Sequence, residues 1–196
     1  VLERQRFPRF SIGESLLAHC LDFVEEAGMM PAVEAAGFQY KNGAAFSRCE
    51  QYGDFDFKEK SVPGRNSTFQ VQRATFDKLL ADEAERQGAD IRYESEILAM
   101  DTTSGRPVLT ARQSGGGLVQ IGAEFVLDAS GFGRTLPRLL NLEVPSAFPV
   151  RHVVFTHVAD GIAEGAFDRQ KIRVAVHPRH HDVWYWLIPF HSGRSS

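Results

Sequence analysis

The chain has 196 residues, 43% of them hydrophobic and 24% charged, with a formal net charge of −3. That balance belongs to a globular fold with enough chain to bury a core, and it excludes the concentrated basic surface that nucleic-acid binding requires. No apolar run approaches the roughly 18 residues of a membrane-spanning helix, and VLERQRFPRF lacks the apolar stretch of a secretory leader.

Val1–Glu3 reads as the end of a short parallel strand with an acidic residue at its tip, followed by a loop bearing Arg and Gly. In a dinucleotide-binding βαβ unit such a carboxylate accepts hydrogen bonds from a ribose; a solvated surface Glu is the plainer alternative. Leu16, Leu17, Cys20, Leu21 and Phe23–Val24 recur at helical spacing and predict a helix from Glu14 to Glu26. Pro31–Ala36 reads as a second, short helix with Pro in its first turn. From Phe38 to Phe57 aromatic and polar residues alternate, which predicts antiparallel strands turning at Asn42–Gly43. After a loop at Ser61–Ser67 come a short strand, Thr68–Val71, and a helix from Arg73 to Gln87, with Phe76, Leu79, Leu80 and Ala84 on one face.

Asp90–Tyr93 is expected to be a buried strand. Ile97–Met100, Val108–Arg112 and Val119–Ile121 read as a three-stranded meander. The glycines at 115–117 form a loop, since no helix follows that could make them a phosphate cradle. Phe125–Leu127 is expected to be a buried strand and Thr135–Leu140 a short helix. The runs HVVFTHV, KIRVAVHP and DVWYWLIPF predict long antiparallel strands of a second sheet. Cys20 and Cys49 lack C-x-x-C spacing and suggest neither a disulfide framework nor a zinc site; two buried thiols in a reducing cytoplasm are expected. His177, His180 and His181 with a neighbouring Asp invite a metal reading, but their loop-like spacing favours an exposed turn.

VLERQRFPRFSIGESLL, FQVQRATFDKLLADEAERQGADIRYESEI, FVLDASGFGRTLPRLLNL and WYWLIP occur in that order. Together they resemble the flavin-dependent halogenases and their FAD-dependent oxidoreductase relatives, which share a hydroxylase-like FAD fold. The first three segments are common to the broad group. Trp184, Trp186, Ile188 and Pro189 fit the W-x-W-x-I-P pattern associated with the halogenases.

The resemblance implies an α/β fold: a partial FAD-binding Rossmann-like domain (1–37 and 68–142) interleaved with an antiparallel substrate-domain sheet (38–67 and 143–196). It also implies an internal stretch of a longer flavoprotein. The glycine-rich turn expected about 20 residues before Glu3 and the family's second FAD motif, a Gly-Asp, are not in this sequence.

Specific residues acquire expected roles. Glu3 would hold the FAD ribose. Arg4 and Arg9 carry guanidinium forks suited to a pyrophosphate, or are merely solvated. Gly13, Glu14 and Ser15 would let backbone approach the cofactor at a helix N-terminus, with Glu14 equally explained as a helix-end acid. Gln72 and Arg73 would contact the flavin side, or cap the following helix. Asp128, with Arg134 and Arg138 nearby, would stand for the family's Asp-Gly fingerprint.

In the halogenases a lysine between flavin and substrate holds oxidised halide, and Lys41 in GFQYKNGAAF resembles it. Such a lysine works only if desolvation keeps its amine available; a solvated surface Lys is the ordinary alternative. Trp184 and Trp186 would screen the flavin from the substrate, or simply make core. The expected activity is halogenation of an electron-rich aromatic, free or tethered to a carrier protein, with halide, O2 and FAD reduced by a separate flavin reductase. Two alternatives stand beside it: an FAD-dependent monooxygenase or oxidoreductase of the reductase-like branch, and an inactive fragment or binding module.

Overall fold

The computed structural model describes residues 1–196. In chain order the elements are α1 (Cys20–Glu26), α2 (Met30–Ala35), β1 (Gln39–Lys41), β2 (Gly43–Arg48), β3 (Gln51–Asp56), β4 (Thr68–Gln70), α3 (Arg73–Arg86), β5 (Glu96–Asp101), β6 (Val108–Arg112), β7 (Leu118–Gly122), a 3-10 turn (Gly131–Gly133), α4 (Thr135–Leu139), β8 (Val158–Ala159), β9 (Lys171–Val176), β10 (Trp184–Leu187) and β11 (Arg194–Ser195). The chain folds into two compact units, cut along lines different from those of the expected domains. One comprises Val1–Phe7 and Ala84–His152, the other Pro8–Glu83 and Val153–Ser196.

In the first unit, Leu2 and Arg92 form a parallel bridge, with the Glu3 amide donating to the Arg92 carbonyl and the Arg92 amide to that of Val1. The parallel strand end predicted at Val1–Glu3 is therefore present. The buried strand expected over Asp90–Tyr93 is reduced to this single bridge. β5, β6 and β7 form the predicted antiparallel meander, with an irregularity in register between Ile97 and Ala99. Phe125–Leu127 is neither a strand nor buried: Phe125 is 77% and Leu127 85% exposed. Its apolar run has no neighbouring strand to satisfy its backbone or cover its side chains. The short helix at Thr135 forms as predicted.

The second unit has two hydrophobic clusters. Leu21 and Val24 of α1, Val33 of α2, Phe38, Val71 and Phe76 of α3 make the first. The three-residue spacing of Leu21 and Val24 turns both to one side of α1, and Phe38 meets Phe76 edge to face. Ala44, Ile172, Val174, Ile188 and Phe190 make the second, on the sheet ordered β10-β9-β2-β3. In that sheet β2–β3 and β9–β10 are antiparallel, while β2 and β9 run parallel. The expected all-antiparallel sheet is thus corrected. His152–His157 also lies outside any strand; of that run only Val158 pairs, as the first residue of β8 against β11.

Two further differences have clear causes. Asn42–Gly43 is not a hairpin turn. Gly43 enters β2, where a Cβ would run into the Phe55 carbonyl oxygen of β3, so close strand approach is what requires glycine. The hairpin instead turns at Cys49, whose φ is +53°, and β1 pairs with the distant β4. The helix predicted from Glu14 begins only at Cys20, because the backbone of Glu14–Leu16 bonds to other chain segments. The Val71 amide donates to the Glu14 carbonyl, and the Leu16 amide to that of Phe69. No helix is long and apolar enough to cross a membrane.

Candidate functional site

Lys41 ends β1 directly opposite Thr68 of β4 and is only 3% exposed. Its Nζ donates to the Leu16 carbonyl at 2.8 Å and lies 5.3 Å from the centre of the Phe57 ring. Burial without a carboxylate partner penalises the ammonium and brings its pKa down to about 8; the nearby Cys20 thiol acts weakly the other way. The amine still carries its proton for most of the time near physiological pH, but a far larger share is neutral and nucleophilic than in an ordinary lysine. Cys20 is half-buried, and burial raises its thiol pKa. Cys49, expected to be buried, is exposed in the hairpin turn.

The loop before α1 is tied down by side chains. Gly13 has φ +98°, and a Cβ there would lie 2.9 Å from Arg73 Nη1. Arg73 places its fork on Asp77, at 2.6 Å from Nε and 3.0 Å from Nη2, and donates from Nη1 to the Ile12 carbonyl at 2.8 Å. Arg9 joins the same carboxylate at 3.3 Å. These two arginines are thereby committed in part to shaping the loop. Glu14 is buried, and its Oε1 receives the Nε2 of His157 at 2.6 Å. Its expected place at a helix N-terminus is corrected, since no helix starts there. Ser15 pairs with Gln70 in an antiparallel bridge, and its Oγ is buried without a protein partner.

A cavity of about 320 Å³ opens beside this loop, lined by Phe10, Gln72, Arg73, His157 and Arg194. Two guanidinium groups, an imidazole, a primary amide and an aromatic ring form a donor-rich wall with one flat apolar surface. That set suits an anionic, hydroxyl-bearing ligand with a planar part. Sequence reasoning missed His157 and Arg194: His157 sits in a run read only as strand, Arg194 in the tail after the last predicted strand, and nothing in their spacing marks them.

Trp184 and Trp186 alternate along β10 and so face one side of the sheet. They are 58% and 55% exposed, so the reading of them as core is corrected. Trp184 is fixed by its Nε1, which donates to the His181 carbonyl at 2.9 Å. Ile188 and Pro189 are buried, Ile188 in the second cluster. The backbone amides of Arg179 and His180 donate to His177 Nδ1, making the histidine-rich run a self-bonded turn.

In the first unit, Glu3 Oε1 accepts from the Gln5 amide at 2.8 Å, and Arg4 is exposed. Asp128 Oδ1 accepts from Ser130 and Oδ2 from the Leu136 amide, at 2.8 and 2.9 Å. These bonds, Ser130's foremost, hold its carboxyl below the usual range and build the entry to α4. Arg134 and Arg138 both turn to Glu143.

No family model matches the chain. It is 35% identical over 133 residues to a tryptophan 2-halogenase of Chondromyces crocatus, covering 67% of this chain and 25% of that protein. It is 32% identical over 160 residues to a 1H-pyrrole-2-carbonyl-[peptidyl-carrier protein] chlorinase of Pseudomonas fluorescens, covering 72% and 36%. Its structure superposes on a flavoprotein/dehydrogenase of Cytophaga hutchinsonii with a TM-score of 0.92 and 43% identity, over 99% of this chain and 47% of that one. The chain therefore spans about a quarter to a half of the relatives it matches. It belongs to the family of flavin-dependent halogenases and their FAD-dependent oxidoreductase relatives.

Proposed function

We propose that the protein is a flavin-dependent halogenase acting on an electron-rich aromatic. The observation that carries this reading is Lys41: a buried amine, with its pKa brought down to about 8, at the position that resembles the halogenase lysine. The halogenase relatives support it. FAD, when bound and reduced by a separate flavin reductase, supplies the oxygen chemistry that oxidises chloride or bromide. Gln72 and Arg73, with His157 and Arg194, would hold the polar part of the cofactor at the Gly13 loop, and Phe10 would flank it. Glu3, Arg4 and Asp128 are proposed cofactor contacts, as are Arg9, Gly13, Glu14 and Ser15; the last four act mainly by fixing the loop. Lys41 would take the halogen from hypohalous acid, its neutral Nζ exchanging one N–H bond for an N–halogen bond with release of water, and present it to the ring, while Trp184 and Trp186 would screen the passage. The carrier-protein chlorinase makes a tethered substrate a reasonable form. We place the reaction in the cytoplasm, where both free thiols stay reduced.

A second reading, an FAD-dependent oxidoreductase without halide, is favoured by the 43% identity to the flavoprotein/dehydrogenase. One experiment separates them. The full-length enzyme and its Lys41→Ala variant are supplied with reduced FAD, O2, an indole or pyrrole substrate and bromide, and products are read by mass spectrometry. A brominated product that disappears in Lys41→Ala, with FAD binding unchanged, is expected. Bromide-independent oxidation, or full bromination by the variant, overturns the halogenase reading.

A further inference from the structure

Phe57 is tied to the residue that follows Lys41. Its amide donates to the Asn42 carbonyl at 2.6 Å. Asn42 is held in turn: its amide donates to the Gln170 carbonyl at 2.8 Å, and its Oδ1 accepts from Lys171 Nζ at 3.3 Å. The β2–β3 register, with Gly43 opposite Asp56, carries the chain to this point. Phe55 braces the Phe57 ring, 5.8 Å away between centres. The ring centre lies 5.3 Å from Lys41 Nζ, inside the roughly 6 Å over which an aromatic face attracts an ammonium. Lys41 is only 3% exposed, and Phe57, packed over it, is half-buried, so the ring shields the amine from water.

An amine nitrogen has three bonding directions besides its bond to carbon. One N–H of Lys41 goes to the Leu16 carbonyl at 2.8 Å, and the Phe57 face takes a second. In the neutral amine those are both hydrogens, which leaves the lone pair in the third direction. We propose that Phe57 is a positioning residue for Lys41: its ring face and the Leu16 carbonyl fix two directions at Nζ and aim the third at the incoming halogen. The proposal rests on the halogenase reading above. In that step the lone pair forms the N–halogen bond as the halogen–oxygen bond of hypohalous acid breaks, and the departing hydroxide takes a proton from the nitrogen and leaves as water. A nitrogen without the ring would present its lone pair in this direction only part of the time.

The ring acts on the charge of Lys41 in two opposed ways. Its bulk keeps water out, which disfavours the ammonium; its face attracts the ammonium. From the other elements packed on the amine, the Cys20 thiol of α1 acts weakly, while Thr68 of β4 and the Leu16 carbonyl do not titrate. Water exclusion wins, since the pKa lies at about 8, below the ordinary lysine value.

The opposed effects separate the variants. The full-length protein, labelled with 13Cε-lysine, is titrated by NMR without halide, and the Lys41 signal is identified by its loss in Lys41→Arg. Phe57→Leu keeps bulk without the face and should lower the Lys41 pKa by about half a unit or more. Phe57→Ala admits water and should raise it. Phe57→Tyr keeps both and should stay near the wild type. Bromination is then compared at pH 7. Phe57→Leu holds more neutral amine, yet should turn over at least about tenfold more slowly because the aim is lost, while Phe57→Tyr should retain the rate. Leu and Ala variants that shift together, or not at all, overturn the proposal. So does a wild-type rate in Phe57→Leu, which would leave the halogenase reading intact. Opposite shifts in an enzyme that never brominates would uphold the ring's hold on the amine and defeat the halogenase reading. Should Phe57→Ala not fold, Leu against Tyr still decides, since both retain bulk and only one retains the face.

Discussion

Glu14 and His157, 143 positions apart in sequence, meet at 2.6 Å between Oε1 and Nε2. The carboxylate is buried, and His157 also packs edge to face on Phe10 and Phe190. The pair fastens the Val153–Val158 segment to the Gly13 loop. His157→Ala would leave a buried carboxylate unpaired, and its expected cost is about 1.5–3 kcal/mol, the range for a hydrogen bond to a charged group. Urea denaturation measures it. Glu14→Gln, which keeps an oxygen acceptor, should cost less than His157→Ala; a larger loss would show that the pair matters through something other than this bond.

Lys41 makes stability depend on pH in a stated direction. Its folded pKa, about 8, lies below the ordinary lysine value. The unfolded chain therefore holds more protons between about pH 8 and the ordinary value near 10.4, and stability rises with pH across that window. The folded protein carries the full penalty below about pH 8. Relative to Lys41→Met, the wild type is expected to gain up to about 3 kcal/mol between pH 7 and pH 10.5. Paired denaturation curves over that range check it; parallel pH dependences would remove the desolvated amine.

Arg73 holds Asp77 with two guanidinium nitrogens and the Ile12 carbonyl with a third. Lysine offers a single point of donation and cannot span these acceptors. Arg73→Lys should lose about 1.5–3 kcal/mol and open the 9–15 loop to proteolysis. An unchanged cleavage pattern would mean the loop is held by other contacts.

Glu3 stands where the chain leaves its parallel bridge with the neighbourhood of Arg92. In the full-length protein Glu3→Ala is expected to weaken FAD by about 1.5–3 kcal/mol, roughly 10- to 150-fold. Fluorescence titration gives the answer, and an unaltered dissociation constant would end the ribose assignment.

Local signals were legible where local physics decides. The α3 stripe, the meander and Pro31 in the first turn of α2 all follow from periodicity and backbone restriction. Signals failed where a distant partner decides. The apolar residues of Glu14–Leu17 suit a helix, yet their backbone groups bond to Phe69 and Val71. Asn42–Gly43 has turn chemistry, yet Gly43 serves the approach of β3. Of the site, Lys41 was visible through its surrounding motif, but its burial was not. His157 was invisible because its importance lies in a partner that spacing does not encode.

The parallel pairing of β2 with β9 sets an order of events during synthesis. Ala44 lies beside Ile172, which leaves the ribosome on the order of 130 residues later. At roughly 5–20 residues per second, that is a delay of about 6 to 26 seconds. Through it the inner edge of the β2–β3 hairpin has no neighbour, and its open backbone groups can pair with another nascent chain. Long-range parallel pairing of this kind also slows folding. The strand next to Lys41 in sequence is thus completed late, when Lys171–Val176 arrives to close the sheet.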